Sequence, residues 1–190
     1  MSVGRLAARI VIGGLFIGHG TQKLLGWFGG PGRAGTEGMM ESLGMRPAKL
    51  HAAAAGVTET VGGALLAAGF ATPLAAASLT GVMTTAIKKV HLPNGPWAAN
   101  GGWEYNAVLI AAVIALAETG PGNLTLDHAF GTERKGSSAA LAALALGVGA
   151  AVLTMEAGRR GSPAALPDGD GTAAAAAQGD TAGDPTTEGA

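Results

Sequence analysis

Five stretches rich in Ala, Gly, Leu and Val, near residues 5 to 24, 50 to 70, 73 to 90, 104 to 119 and 138 to 157, decide what this chain can fold into. Most approach the about 17 to 25 residues that a helix needs to cross a bilayer. In hydrocarbon the backbone must satisfy its hydrogen bonds within each segment, and the alternating pattern of barrel strands is absent, so the runs predict helices. Charged residues make up only 13% of the sequence, against roughly 25% in an ordinary soluble domain. The expected architecture is therefore an all-α integral membrane protein. Residues 1–130 form a four-helix bundle, residues 131–158 a linker and a fifth transmembrane helix, and residues 159–190 a disordered acidic tail. That tail is built from Ala, Gly, Asp, Thr and Pro without an aromatic residue, and cannot bury enough apolar surface to offset the entropy of ordering.

The absence of cysteine removes disulfides, thiol nucleophiles and cysteine-ligated iron–sulfur clusters as chemistry of this chain. A net charge of -1 with no concentrated basic face argues against nucleic acid as a partner. Arg5 and Arg9 precede an apolar run as in a secretory signal, but Gly18-His19-Gly20-Thr21-Gln22-Lys23 offers no small-residue cleavage site, so the first span is expected to be retained.

Those same six residues interrupt the apolar run with two ionisable groups. His19 and Lys23 stand four residues apart on one helical face. Each charged group at membrane depth costs on the order of 3 kcal/mol, so both must face something other than lipid. Antiparallel helices place the end of the first span, the start of the second, the end of the third and the start of the fourth on one side. His19, Lys23, His51, Lys88, His91, Glu104 and Tyr105 gather there with all three tryptophans, Trp27, Trp97 and Trp103. The tryptophans read equally as an interfacial belt. Glu59 lies near the middle of the second span and is the expected partner of Lys23; Lys88 with Glu104 is a second, weaker pair. Gly56, Thr60, Gly63 and Ala67 form a small-residue face on which a neighbouring helix can close.

His19, His51 and His91 match no zinc spacing and no helical Glu-x-x-His pattern occurs, so no metal site is expected. No nucleophile triad, phosphate loop or dinucleotide fingerprint is present, and Gly29-Gly30-Pro31-Gly32 follows a helix rather than a strand. Met39, Met40 and Leu43 suggest a short surface helix stopped by Gly44, and the Pro-, Gly- and Trp-rich segment from Leu92 to Trp103 reads as a structured loop rather than a linker.

Taken together, Gly18-His-Gly-x-x-Lys-Leu24, Glu59-x-x-Gly62-Gly63, His91, Gly95-x-Trp97, Gly102-x-Glu104-Tyr105 and Gly120-Pro-Gly122 leading to Asp127 resemble the DoxX family of bacterial membrane proteins, over about residues 5 to 128. Pro96 stands where that pattern would have an aromatic, and Asn123 and Thr125 replace an Arg and a Ser. The resemblance implies a four-helix membrane bundle in the bacterial plasma membrane, related to the small subunit of thiosulfate:quinone oxidoreductase and to membrane complexes that handle thiol or oxidative stress. It places His19, Lys23, Glu59, His91, Glu104 and Tyr105 in a polar site. The functional expectation is a redox-associated subunit whose intramembrane pocket binds a quinone or similar small molecule and whose electrons come from a soluble oxidoreductase partner. The competing expectation is a non-enzymatic scaffold, or a carrier of protons or small solutes, in which the cluster only holds helices together.

Overall fold

The computed structural model describes residues 3–161, and within them the chain is helical throughout, with seven α-helices and no strand. They are α1 (Val3–Leu25), α2 (Gly32–Ser42), α3 (Ala48–Ala68), α4 (Thr72–Ala86), α5 (Glu104–Thr119), α6 (Leu126–Phe130) and α7 (Ser137–Arg160). Each of the five apolar runs becomes a long helix, and the expected surface helix is α2, ended by Gly44 in the left-handed region at φ 66°. The expected disordered tail falls, apart from Arg159, Arg160 and Gly161, outside the described residues.

Antiparallel packing arranges α1 against α3, α3 against α4 and α4 against α5, while α7 runs parallel to α4, so α4 is the central helix. Phe16, Leu66, Leu79, Val113 and Leu116 meet in the core, filled in between by alanines of α4 and α7. Polarity runs the other way from that of a water-soluble bundle. Ile10, Val11 and Leu15 of α1, Val57 and Val61 of α3, Val108 of α5 and Leu141, Leu146, Val152 and Leu153 of α7 are exposed, whereas Arg9, Glu59, Thr80 and Asn106 are buried. Apolar side chains cover the outer faces of four helices while charged and polar groups turn inward, the reverse of what water favours. Lipid is the solvent that fits them.

Two helices among the described residues, Val3–Leu25 and Ser137–Arg160, are long and apolar enough to cross a membrane. The sequence expectation of four such spans before residue 130 is thus met in full only by α1. α4 and α5 stop at 15 and 16 residues, and the apolar character of the continuous helix α3 is interrupted by Lys49, His51, Thr58, Glu59 and Thr60. The regular part of α4 ends early because Ile87–His91 winds into a π-helical turn, a local widening that often marks functional positions.

Glycine sets the α1–α3 distance. A Cβ built on Gly13 would lie 2.6 Å from the Gly63 carbonyl oxygen, one on Gly63 would lie 2.6 Å from the Gly13 carbonyl, and one on Gly20 would lie 2.6 Å from the Gly56 carbonyl. Backbone meets backbone at both levels, which is the close approach that small residues permit between membrane helices. Replacing Gly63 by leucine is expected to separate the helices and destabilise the fold by about 3 kcal/mol or more, since the obstructing atoms are backbone. A detergent-unfolding titration followed by circular dichroism checks this; an unchanged midpoint would contradict the interdigitation.

Candidate functional site

Glu59 and Lys23 make the ion pair that the sequence suggested, with Lys23 Nζ donating to Glu59 Oε2 at 2.6 Å. Helix geometry explains why residues six positions out of register can meet. Gly13 opposes Gly63 and Gly20 opposes Gly56, so Lys23 lies opposite Ala53, about 9 Å along the axis from Glu59. Side chains lean toward the N-terminus of their own helix, and in an antiparallel pair Lys23 and Glu59 therefore lean toward each other. The Glu59 side chain is 3% exposed and that of Lys23 21%. One wall beyond the pair is α2, whose Thr36 is buried and donates its hydroxyl to the Gly32 and Lys23 carbonyls.

Of the other expected site residues only His19 lies close enough for its charge to act on Glu59, and it makes no hydrogen bond to the pair. His19 is exposed on the outer face of α1 and shares a hydrogen bond with Gln22 at 3.1 Å. Glu104 is not bound to Lys88: it accepts from the Ala98 N–H at 2.9 Å and so ties the loop to the first turn of α5, where a carboxylate also suits the helix dipole. Lys88 is exposed with no ion pair among the described residues. His91 Nδ1 lies 2.7 Å from the Gly101 carbonyl oxygen, and the Trp103 and Glu104 N–H groups bond back to Gly95 and Pro96, which makes the segment after Leu92 the structured loop expected of it. Tyr105, Trp27 and Trp97 are exposed, Trp103 is half-buried and His51 is buried in the first turn of α3. Among the described residues no three His, Asp or Glu side chains come together as a metal-binding group.

The hollow beside Lys23 is not a chamber. This space, bounded by Lys23, Leu24, Arg33, Glu37, Ala52 and Ala53, admits no water-sized sphere, whereas ligand pockets usually enclose about 300–1,000 Å³. Of the seven residues expected to line a common pocket, only Lys23 borders this space. The glycine-tight closure of α1 on α3 that brings the pair together also excludes a ligand from between them.

A second polar centre, at the opposite end of the bundle, was missed. Arg9, 1% exposed, donates Nη1 to the Ala67 carbonyl at 3.0 Å and Nη2 to the Leu124 carbonyl at 2.8 Å, capping the negative end of α3. Asp127 caps the positive start of α4, accepting from the Ala71 N–H at 2.9 Å, the Thr72 N–H at 3.1 Å and the Thr72 and Thr132 hydroxyls at 3.0 Å. Burial alone would push the Asp127 carboxyl up, but these donors outweigh it and hold the group below the usual carboxylate range. Arg5 adds a bond from its guanidinium to the Thr119 carbonyl. The signal lay in Ala71-Thr72-Pro73, a helix start with no acidic residue in its first turn, which leaves its N–H groups to be met from elsewhere.

Inverted polarity, two membrane-length helices and an inward-facing ion pair define an all-helical membrane protein. The family model for DoxX matches residues 4–92, so this stretch of the chain, through α4, is a DoxX domain. That match ends at Leu92, after α4, so the loop motifs, α5 and Asp127 that also carried the resemblance lie beyond it. Neither the curated proteins nor the solved structures contain a match to the chain.

Proposed function

We propose that the chain is a multi-pass subunit of the bacterial plasma membrane, associated with redox chemistry, whose own charged pair holds architecture on which a partner works. In this reading α1, α3, α4 and α5 cross the bilayer with α7 as a fifth span. The observation that carries it is the Lys23–Glu59 pair itself, whose buried carboxylate is bonded to the ammonium at 2.6 Å, with no room for a water-sized sphere in the hollow beside Lys23. A donor and a proton acceptor that already satisfy each other, with no space for a substrate, are poor acid–base machinery. The redox association and a soluble oxidoreductase partner rest on the family relation.

One observation favours a place for a quinone nonetheless. His19 and Gln22 offer polar groups on the outer face of α1, so a lipid-soluble carrier would meet the protein from the acyl region rather than between helices.

Because the chain has no cysteine, single-cysteine variants report topology without background. Phe28→Cys and Trp97→Cys are expected to react with an impermeant maleimide from one side of sealed vesicles and Phe130→Cys only from the other. Labelling of all three from one side would overturn the multi-pass arrangement. Mass spectrometry of the gently extracted assembly should show an oxidoreductase polypeptide; extraction of this chain without one would overturn the redox association.

A further inference from the structure

A wide open groove lies away from the ion pair, at the end of the bundle where Asp127 caps α4. It is a groove of about 910 Å³, walled on one side by the α3–α4 turn and the start of α4 and on the other by residues 132–135 and the first three turns of α7. Its polarity is graded along the helix axis. Thr132, Glu133, Arg134, Lys135 and Ser138 occupy the outer end, and from there the lining passes through Ala139 and Ala142 to Leu146, about 12 Å further along α7, with Leu74 facing from α4. Leu74 and Leu146 are 62% and 65% exposed, so the apolar end is continuous with the outer faces that suit lipid.

Charge at the polar end is less balanced than the residue types suggest. Asp127 is saturated by four hydrogen bonds, and Glu133 is engaged by Lys135 at 3.4 Å. Arg134 is the lining charge with no hydrogen bond or ion pair among the described residues. The N-terminus of α7 adds to it. Gly136 provides no side-chain cap, and the Ser137 hydroxyl donates to Glu118 Oε1 instead of accepting from the first turn. An exposed, unpaired guanidinium two residues before Gly136, where a helix starts that no side chain caps, at the head of an apolar channel, matches a phosphate joined to acyl chains.

We propose that this groove binds one anionic glycerophospholipid, with its phosphate at Arg134 and the start of α7 and an acyl chain along Ala142, Leu146 and Leu74. The proposal rests on the membrane reading above. Protein extracted from bilayers holding equal phosphatidylglycerol and phosphatidylcholine is to be weighed by native mass spectrometry. Parent protein is expected to retain one phosphatidylglycerol in preference to phosphatidylcholine. Arg134→Gln should lower that retention about fivefold, the value of one cation at a lipid surface. Ala142→Leu, which fills the channel, should abolish it with the helical circular dichroism unchanged. Arg160→Gln at the opposite end should leave it intact.

Equal retention of the two lipids by the parent, or retention that survives both groove variants, overturns the site. A chain that extracts into aqueous buffer without detergent would instead overturn the membrane reading on which it stands.

Discussion

Lys23→Met is expected to destabilise the protein by about 3–5 kcal/mol, the cost of leaving one member of a buried ion pair without its partner. Glu59→Leu is expected to lose less. The two members differ in escape route: Glu59, 3% exposed, has nowhere to take an orphaned carboxylate, whereas Lys23, 21% exposed, can extend its ammonium toward the rim. Denaturation of each variant in detergent, followed by helical circular dichroism, measures both losses and their order. Equal and small losses would mean that the pair contributes little beyond the helix contacts around it.

Asp127→Ala is the second large effect. It removes four acceptor contacts at once and strands the N–H groups of Ala71 and Thr72 at the buried start of α4, for an expected loss on the order of 3 kcal/mol. Asp127→Asn should recover only part of this, since one amide oxygen replaces two carboxylate oxygens and the amide N–H₂ faces donors. The same contacts give a pH dependence. A carboxyl held low in the folded state stabilises it at every pH above the unfolded-state value of about 3.9, and that contribution disappears as pH falls through the lower folded value. Parent protein should therefore lose stability on acidification below about pH 4, and the Asp127→Ala variant should lose less over the same interval. Parallel acid titrations of the two would contradict the assignment.

The parts legible in sequence were those that one helix announces by itself. The apolar runs became the long helices, and α5 matches its run at both ends, because Gly102 before it and Gly120-Pro121-Gly122 after it leave little choice. The Lys23–Glu59 pair could be anticipated because two opposite charges in neighbouring antiparallel apolar segments have few other places to go. What failed was the step from sharing one side of a bundle to sharing one site. Lys88 and Glu104 occupy the same end, yet the loop supplies Glu104 with the Ala98 N–H at 2.9 Å, and Lys88 is left exposed. Sequence order likewise cannot tell a cleft from a closed interface. Gly56, Thr60, Gly63 and Ala67 suggested close approach, and the structure adds Gly13 and Gly20 of α1, against which Gly63 and Gly56 close backbone to backbone.

Arg9 and Asp127 were harder to find because their partners are mostly backbone groups. Ala67 and Leu124 carbonyls and Ala71 and Thr72 N–H groups carry no sequence signature of their own. Arg9 also resembled the positive flank of an N-terminal apolar segment, a position where arginine is common for unrelated reasons. Only the fold shows that the α3–α4 turn ends one helix and starts another within a few residues, and that each end receives a charge of the sign its dipole favours.

Whether Lys23 and Glu59 hold helices together rather than carry out a reaction is tested most directly by a double-mutant cycle. Lys23→Met and Glu59→Leu are measured singly and together in the same detergent unfolding titration. The double variant is expected to return to near parent stability, because replacing a buried pair by apolar residues of similar volume is close to neutral, with a coupling about as large as the two single losses summed. Losses that simply add in the double variant would contradict the holding role.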